Sequence, residues 1–249
     1  MPDLVGTPSD EVPGILETGR SDVTTVFVSM SGRHPEGRDA HYIEWHSLDH
    51  RPEQHRLSAL RASLRLVSTP GCRAARMASS ERYEAVDHVM SYFFADVAAL
   101  DGFVDLSVGL RNAGRTPELL PLVERGVYTP SAMEAAPRIK AGADVLPWWP
   151  ARGVILLVEA GESPLGALTD VAGVGGAWSV TGLNVGPPNT TTDNSGIQIT
   201  YLFVDDEPEE TAGRLRPALE KRWADDAVAP LLAAPFHTIV PYEWDRYLP

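Results

Sequence analysis

Apolar and polar positions along this chain fall into short runs of two periods, and the runs come in one order, twice. Val23 to Met30 (VTTVFVSM) is β-branched and aromatic and predicts a first strand. A loop with Gly and Pro follows over 31–38. Residues 39–53 (DAHYIEWHSLDHRPE) then switch to a helical period. Tyr42, His46 and His50 stand at i, i+4 and i+8 and share one face, with Trp45 and Leu48 on the strip beside it. Asp39 is placed to cap this helix, and Pro52 ends it or restarts it as a new first turn. Leu57 to Val67 fits both periods: Leu60, Leu64 and Val67 suit a helical face, while SLRLVS alternates. Residues 72–78 predict a second strand and 88–95 (HVMSYFFA) a third. Asp96 is positioned to cap a helix carrying Val97, Leu100, Phe103 and Val104, and a fourth strand is expected around Arg125–Thr129.

The second half repeats the outline. Strands are predicted at 153–159, 177–185, 197–204 and 236–241. A short helix is predicted at 164–171 and a long polar turn at Gly186–Ser195. A longer helix starts at Pro208, with Glu209 and Glu210 in its first turn and Leu215, Leu219 and Trp223 along it. The order β-α-β-β-α-β therefore occurs twice. The expected fold is α+β: tandem ferredoxin-like βαββαβ units packed sheet to sheet within one chain. The expected divisions are an N-terminal arm without regular structure over 1–22, a first unit over 23–136, a Pro- and Trp-bearing linker over 137–150, and a second unit over 151–249. In the linker, Pro147-Trp148-Trp149-Pro150 reads as a rigid segment whose two tryptophans pack between the halves.

Composition narrows the function classes. The 249 residues are 43% hydrophobic, enough for a sizeable core. A net charge of −13 argues against nucleic-acid or anionic-membrane partners. The apolar runs are too short to span a bilayer, and the acidic, Pro/Gly-rich start is unlike a signal peptide, so a cytoplasmic location is expected. The single cysteine, Cys72, excludes an intrachain disulfide and a multi-Cys zinc site. It is expected to be buried and inert.

The chemistry concentrates on the 39–53 segment. His46 and His50 have the spacing that lets two imidazoles reach one metal, but Ser47 stands where a zincin has Glu and no third ligand is near. No tightly bound transition metal is therefore expected. Either histidine can instead be a structural residue bonded to the backbone, or a general acid/base near its ordinary pKa of ~6.5. Asp49 is a candidate to hold the His50 tautomer, and Tyr42 to donate to a ligand. Trp45 reads as core or pocket wall. Tyr92 and Phe94 share one face of the third strand, and one face of that strand is expected to look into the sheet–sheet interior, where a ligand cavity would lie. His88, at the strand's start, reads as a satisfied edge residue. If His50 lies in a wet cleft near the end of its helix, the free carbonyls and Asp49 raise its pKa; if it is core, it is neutral.

The pattern Tyr42-x-x-Trp45-His46-x-x-Asp49-His50-x-Pro52-Glu53 resembles the signature of EthD-like and related dimeric α+β-barrel proteins. Pro70-Gly71 followed by Arg73-Ala74-Ala75-Arg76 fits the same family, and the resemblance covers roughly 23–129. It implies ferredoxin-like units and a cleft between sheet and helices flanked by the motif helix. The superfamily includes monooxygenases, isomerases and haem enzymes. In the haem enzymes a late histidine ligates iron, and His237 would be its counterpart; the leading expectation is nevertheless no cofactor. Two functions stay open. One is an enzyme transforming a small apolar molecule, as a cofactor-independent oxygenase, isomerase or cyclase, with His46, His50, Asp49 and Tyr42 as catalytic residues and Trp45, Tyr92 and Phe94 as ligand contacts. The other is a non-catalytic binding or scaffold protein with a filled core. A second copy of the chain is a further candidate partner.

Overall fold

The computed structural model describes residues 4–185, 193–225 and 228–248. Among the described residues there are nine strands: β1 Thr25–Ser31, β2 Leu60–Val67, β3 Ala78–Ser79, β4 His88–Phe94, β5 Leu122–Ala135, β6 Gly153–Ala160, β7 Val174–Leu183, β8 Ile197–Val204 and β9 Ala229–Thr238. They hydrogen-bond in the order β2-β4-β1-β5-β7-β8-β6-β9, and β9 pairs back onto β2, so eight strands close a barrel; β3 is appended to β9. Within each half the order is that of a ferredoxin-like unit. The halves join edge to edge, β5 to β7 (Val127↔Leu183) and β9 to β2 (Val67↔His237). Closure leaves none of the eight strands with a free edge.

Alternation along each strand separates a barrel interior from an outer face. Val26, Val28, Met30, Leu66, Phe93, Tyr128, Trp178, Val180, Tyr201, Phe203 and Phe236 point inward and fill the barrel. Phe93 meets Trp178 edge-on at 5.8 Å, and Ser91 bonds the Tyr201 hydroxyl at 2.8 Å. The interior is a packed core. The ligand cavity expected between the sheets is therefore absent from that place and lies on the outer face, under the helices.

On the second unit's outer face the helix Pro208–Asp225 buries Ala212, Leu215 and Leu219 against Ile155, Leu157, Leu202 and Val204. The first unit's outer face is covered by the helix Ala99–Asn112 and by the motif helix. The motif helix runs as an α-helix over Asp39–Trp45, a π-turn over His46–His50 and an α-turn over Arg51–Gln54. Pro52 sits in the first turn of that last piece and restarts the helix.

Several expectations are corrected. Of the ambiguous 57–67 segment, Leu60–Val67 is strand β2, whose residues Ala62, Leu64 and Leu66 pack into the barrel. Residues 72–78, expected as a strand, begin instead in the short helix Pro70–Ala74, started by Pro70 and capped by Thr69, whose hydroxyl accepts from the Cys72 amide. Asp39 caps nothing: its carboxylate accepts from the His34 amide at 3.1 Å and bonds His88 at 2.7 Å, and Arg38 holds the cap position. Asp96 accepts from the Ala98 amide just before the 99–112 helix. The fourth and last strands run longer than expected, over Leu122–Ala135 and Ala229–Thr238, the latter stopping short of Pro241. The N-terminal arm contains a 3-10 turn at Ser9–Glu11 and a helical turn at Pro13–Leu16, tied to the linker by Ser9 N–H to the Lys140 carbonyl. Of the linker tryptophans, Trp149 packs on the core, while Trp148 is 45% exposed. Most of the turn expected at Gly186–Ser195 lies outside the described residues.

Candidate functional site

A cavity of about 350 Å³ opens between the outer face of the first unit's sheet and its two helices. The volume is at the low end for small-molecule sites. The motif helix contributes Tyr42, Trp45, His46, His50 and Gln54; the sheet contributes Phe27, Ser29, Ser31, Arg65, Met90, Tyr92 and Arg125; the 99–112 helix and the loop after it supply Phe103, Arg111 and Thr116. Tyr42, His46 and His50 thus share the face their spacing predicts. The π-turn, in which the Arg51 amide reaches back to the His46 carbonyl, lies at this point, and such turns recur at functional sites.

The aromatic rings form a continuous wall. Trp45 stacks on His50 at 4.9 Å, Tyr42 on His46 at 6.1 Å, and the two imidazoles are 5.7 Å apart. Trp45 is fixed by its indole N–H, which donates to the Arg115 carbonyl at 2.7 Å. His46 Nε2 meets the Tyr92 hydroxyl at 3.1 Å. The Gln54 side-chain amide donates to His50 Nε2 at 2.9 Å, which leaves the His50 ring proton on Nδ1.

Both imidazoles are held neutral. Burial pushes His46 well below the ordinary histidine range, and the positive charge of Arg65 adds to that. Burial also lowers His50, to about 4, against an opposing pull from Asp49. The expectation that a cleft position would raise the His50 pKa is thereby corrected. The helix continues to Gln54, so His50 is not at a carbonyl end, and Asp49 is turned outward to pair with Arg115 at 3.0 Å. Asp49 does not line the cavity. Phe94 does not either: it lies on the Tyr92 face, as expected, but is buried behind it against Phe103.

Three features escaped the sequence reading. Arg65 lies over the Tyr42 ring at 5.1 Å and donates from Nη2 to His88 Nδ1 at 3.2 Å. Because arginine only donates, His88 accepts at Nδ1 and carries its proton on Nε2, which donates to Asp39. His88 is fully buried and its pKa falls to about 4, chiefly through burial. It is a satisfied residue, as expected, but one that positions Arg65. Arg125 enters from β5, and Gln54 from the end of the motif helix. Both arginines sit at outward positions of apolar strands, where an unmatched charge is the available sequence signal. Finally, the buried side-chain atoms without a hydrogen-bond partner include His46 Nδ1, His50 Nδ1, Gln54 Oε1, Arg65 Nε, Thr116 Oγ1 and Arg125 Nε, all on residues lining this cavity.

His237 lies elsewhere, on the second unit's outer face. Its Nε2 bonds Glu209 Oε1 at 3.0 Å, its ring is stacked on Tyr247 at 4.7 Å, and Cys72 Sγ approaches the same carboxylate oxygen at 3.4 Å. Burial pushes the Cys72 thiol up to about 12, in keeping with the buried, unreactive state expected of it.

Among solved structures, the chain is similar to a candidate chlorite dismutase with 11% identity, covering 91% of this chain and 100% of that one at a TM-score of 0.51. An anthrone oxidase-like protein aligns over 88% and 92% of the two chains at 10% identity and TM-score 0.45. A candidate monooxygenase from Lactobacillus acidophilus aligns over 86% and 96% at 11% and 0.41. No protein-family model and no curated sequence matches. The fold is that of the dimeric α+β barrels, closed here within one chain. No described helix is long and apolar enough to cross a membrane.

Proposed function

We propose that this chain is an enzyme that binds a small, mainly apolar molecule in the cavity under the motif helix and begins its reaction by removing a proton. One observation carries the reading: a neutral imidazole, His46, buried to 3% exposure and anchored to Tyr92 through Nε2, has no protein partner at Nδ1. A purely structural histidine at this depth would have both nitrogens engaged. With Nε2–H donated to the Tyr92 oxygen, Nδ1 keeps its lone pair and His46 is the base. Tyr92 positions the ring, and Tyr42 and Trp45 grip the apolar body. The guanidinium of Arg65, set by His88 and Asp39, is a source of positive charge for an oxyanion forming on the substrate. An enolate made this way is the common first intermediate of an isomerase, a cyclase and a cofactor-independent oxygenase. The motif over residues 42–53 favours a place among EthD-like proteins.

The test is solvent exchange. Enolisable aryl ketones are incubated with the protein in D2O, and deuterium at the α-carbon is followed by NMR. Incorporation that falls at least 100-fold in His46→Gln is expected. A probe that binds in the cavity while no ketone exchanges faster than in buffer would leave a binding protein without catalysis.

A further inference from the structure

We propose that the molecule held in this cavity carries a carboxylate, and that Arg65 and Arg125 are the residues that bind it. This rests on the cavity being the working site. Among the described residues three arginines, Arg65, Arg111 and Arg125, line it, and no aspartate or glutamate does. That local sign is opposite to the chain's net charge of −13.

Elsewhere among the described residues the buried Arg222 and the largely buried Arg76 are matched with the chain's own acids. Arg222, at 7% exposure, is gripped by Glu159 at 2.8 Å, and Arg76 lies 3.5 Å from Asp87. Arg65 is as deeply buried, at 5%, yet among the described residues no carboxylate pairs with it or with Arg125, and Nε of each lacks a partner. Arg65 has only a neutral histidine and the face of Tyr42. A guanidinium taken out of water without a counter-charge is costly, and a protein that keeps two in one cavity leaves the counter-charge to something that enters.

The second unit supplies the comparison. The corresponding layer between its sheet and its helix is filled by Ile155, Leu157, Leu202, Val204, Leu215 and Leu219, and the buried arginine on that helix, Arg222, is matched by Glu159 from the sheet. Where the second unit buries an arginine under its helix it supplies an acid from the sheet; among the described residues the first unit supplies none for Arg65 or Arg125. A carboxylate suits them because its two oxygens match the paired N–H groups of a guanidinium edge, including the free Nε–H. The aromatic wall of Tyr42, Trp45 and Tyr92 then faces the apolar remainder.

Two arms test this on the full chain. In the first, Arg125→Met removes a half-buried charge with little change of volume. If the charge awaits a ligand, the ligand-free protein melts a few degrees higher than wild type; if Arg125 is structural, it melts lower, and the proposal falls. Arg125→Gln distinguishes a packing failure, since it keeps polarity and must not melt lower either. In the second, calorimetry compares 2-naphthoate with 2-naphthalenemethanol, a neutral molecule of nearly the same shape. The acid is expected to bind at least tenfold more tightly, with the preference lost in Arg125→Met and in Arg65→Gln. Equal binding of the alcohol overturns the carboxylate and leaves the cavity's role intact. Binding of neither probe overturns both readings.

Discussion

Lowering the pH from 7 to 5 should unfold this protein far below the temperature it withstands at neutrality, and histidines account for the effect. His88 has a folded pKa of about 4 against an ordinary 6.5, mainly through burial. A base with a depressed folded pKa is protonated in the unfolded chain before the folded one. Its stabilising effect is therefore complete above about 6.5, falls by up to ~1.4 kcal/mol per pH unit below that, and levels off near 4. For His88 this gives a loss of about 2 kcal/mol at pH 5. His46 is as buried, and the charged groups beside it also disfavour its charge, so it acts in the same direction. His50 adds less, because part of its ring is exposed. His88 and His50 together give roughly 3–4 kcal/mol, which for a chain of this size corresponds to a fall of roughly 10 °C in Tm, and His46 deepens it. Thermal melts at the two pH values measure it, and His46→Phe should make the fall smaller. A Tm that moves by less than ~3 °C would show that these rings are solvated, and the neutral-imidazole site would be lost with them.

Three further substitutions probe the frame around the site. Glu159→Leu strands the buried Arg222 and takes away the acceptor of the Trp223 indole, and should cost about 3–5 kcal/mol in denaturant unfolding; the double variant with Arg222→Met should recover most of it. Tyr201→Phe breaks the hydroxyl bond to Ser91 inside the barrel and should cost about 1 kcal/mol without altering ligand binding. Gly182→Ala would set a Cβ 2.0 Å from the Asn194 carbonyl oxygen, a backbone atom beside the seam between β5 and β7; a loss of roughly 1–3 kcal/mol is expected in thermal melts.

How much of this was legible beforehand depended on whether the signal was local. The i, i+4, i+8 spacing of Tyr42, His46 and His50 needs only helix geometry, and the three do line one cavity. The twice-repeated order of elements gave the two ferredoxin-like units. Strand β2 was ambiguous because Leu60, Leu64 and Val67 suit a helical face while SLRLVS alternates, and only its pairing with β4 and β9 settles the matter. The 72–78 segment failed because Thr69-Pro70 is a helix start whose effect outweighs the residues after it. Asp49 looked like a partner for its neighbour His50, yet adjacent residues on a helix point apart, and Arg115 on another segment claimed it. Arg65, Arg125 and Gln54 were passed over because they come together only when the sheet and the motif helix meet.

The most direct measurement is NMR of the histidine rings during a titration with 2-naphthoate. His46 and His50 should shift together and saturate at the affinity found by calorimetry, while His237, on the other unit, stays still. Saturable binding that moves His237, or that leaves His46 and His50 unmoved, would place the site elsewhere in the molecule.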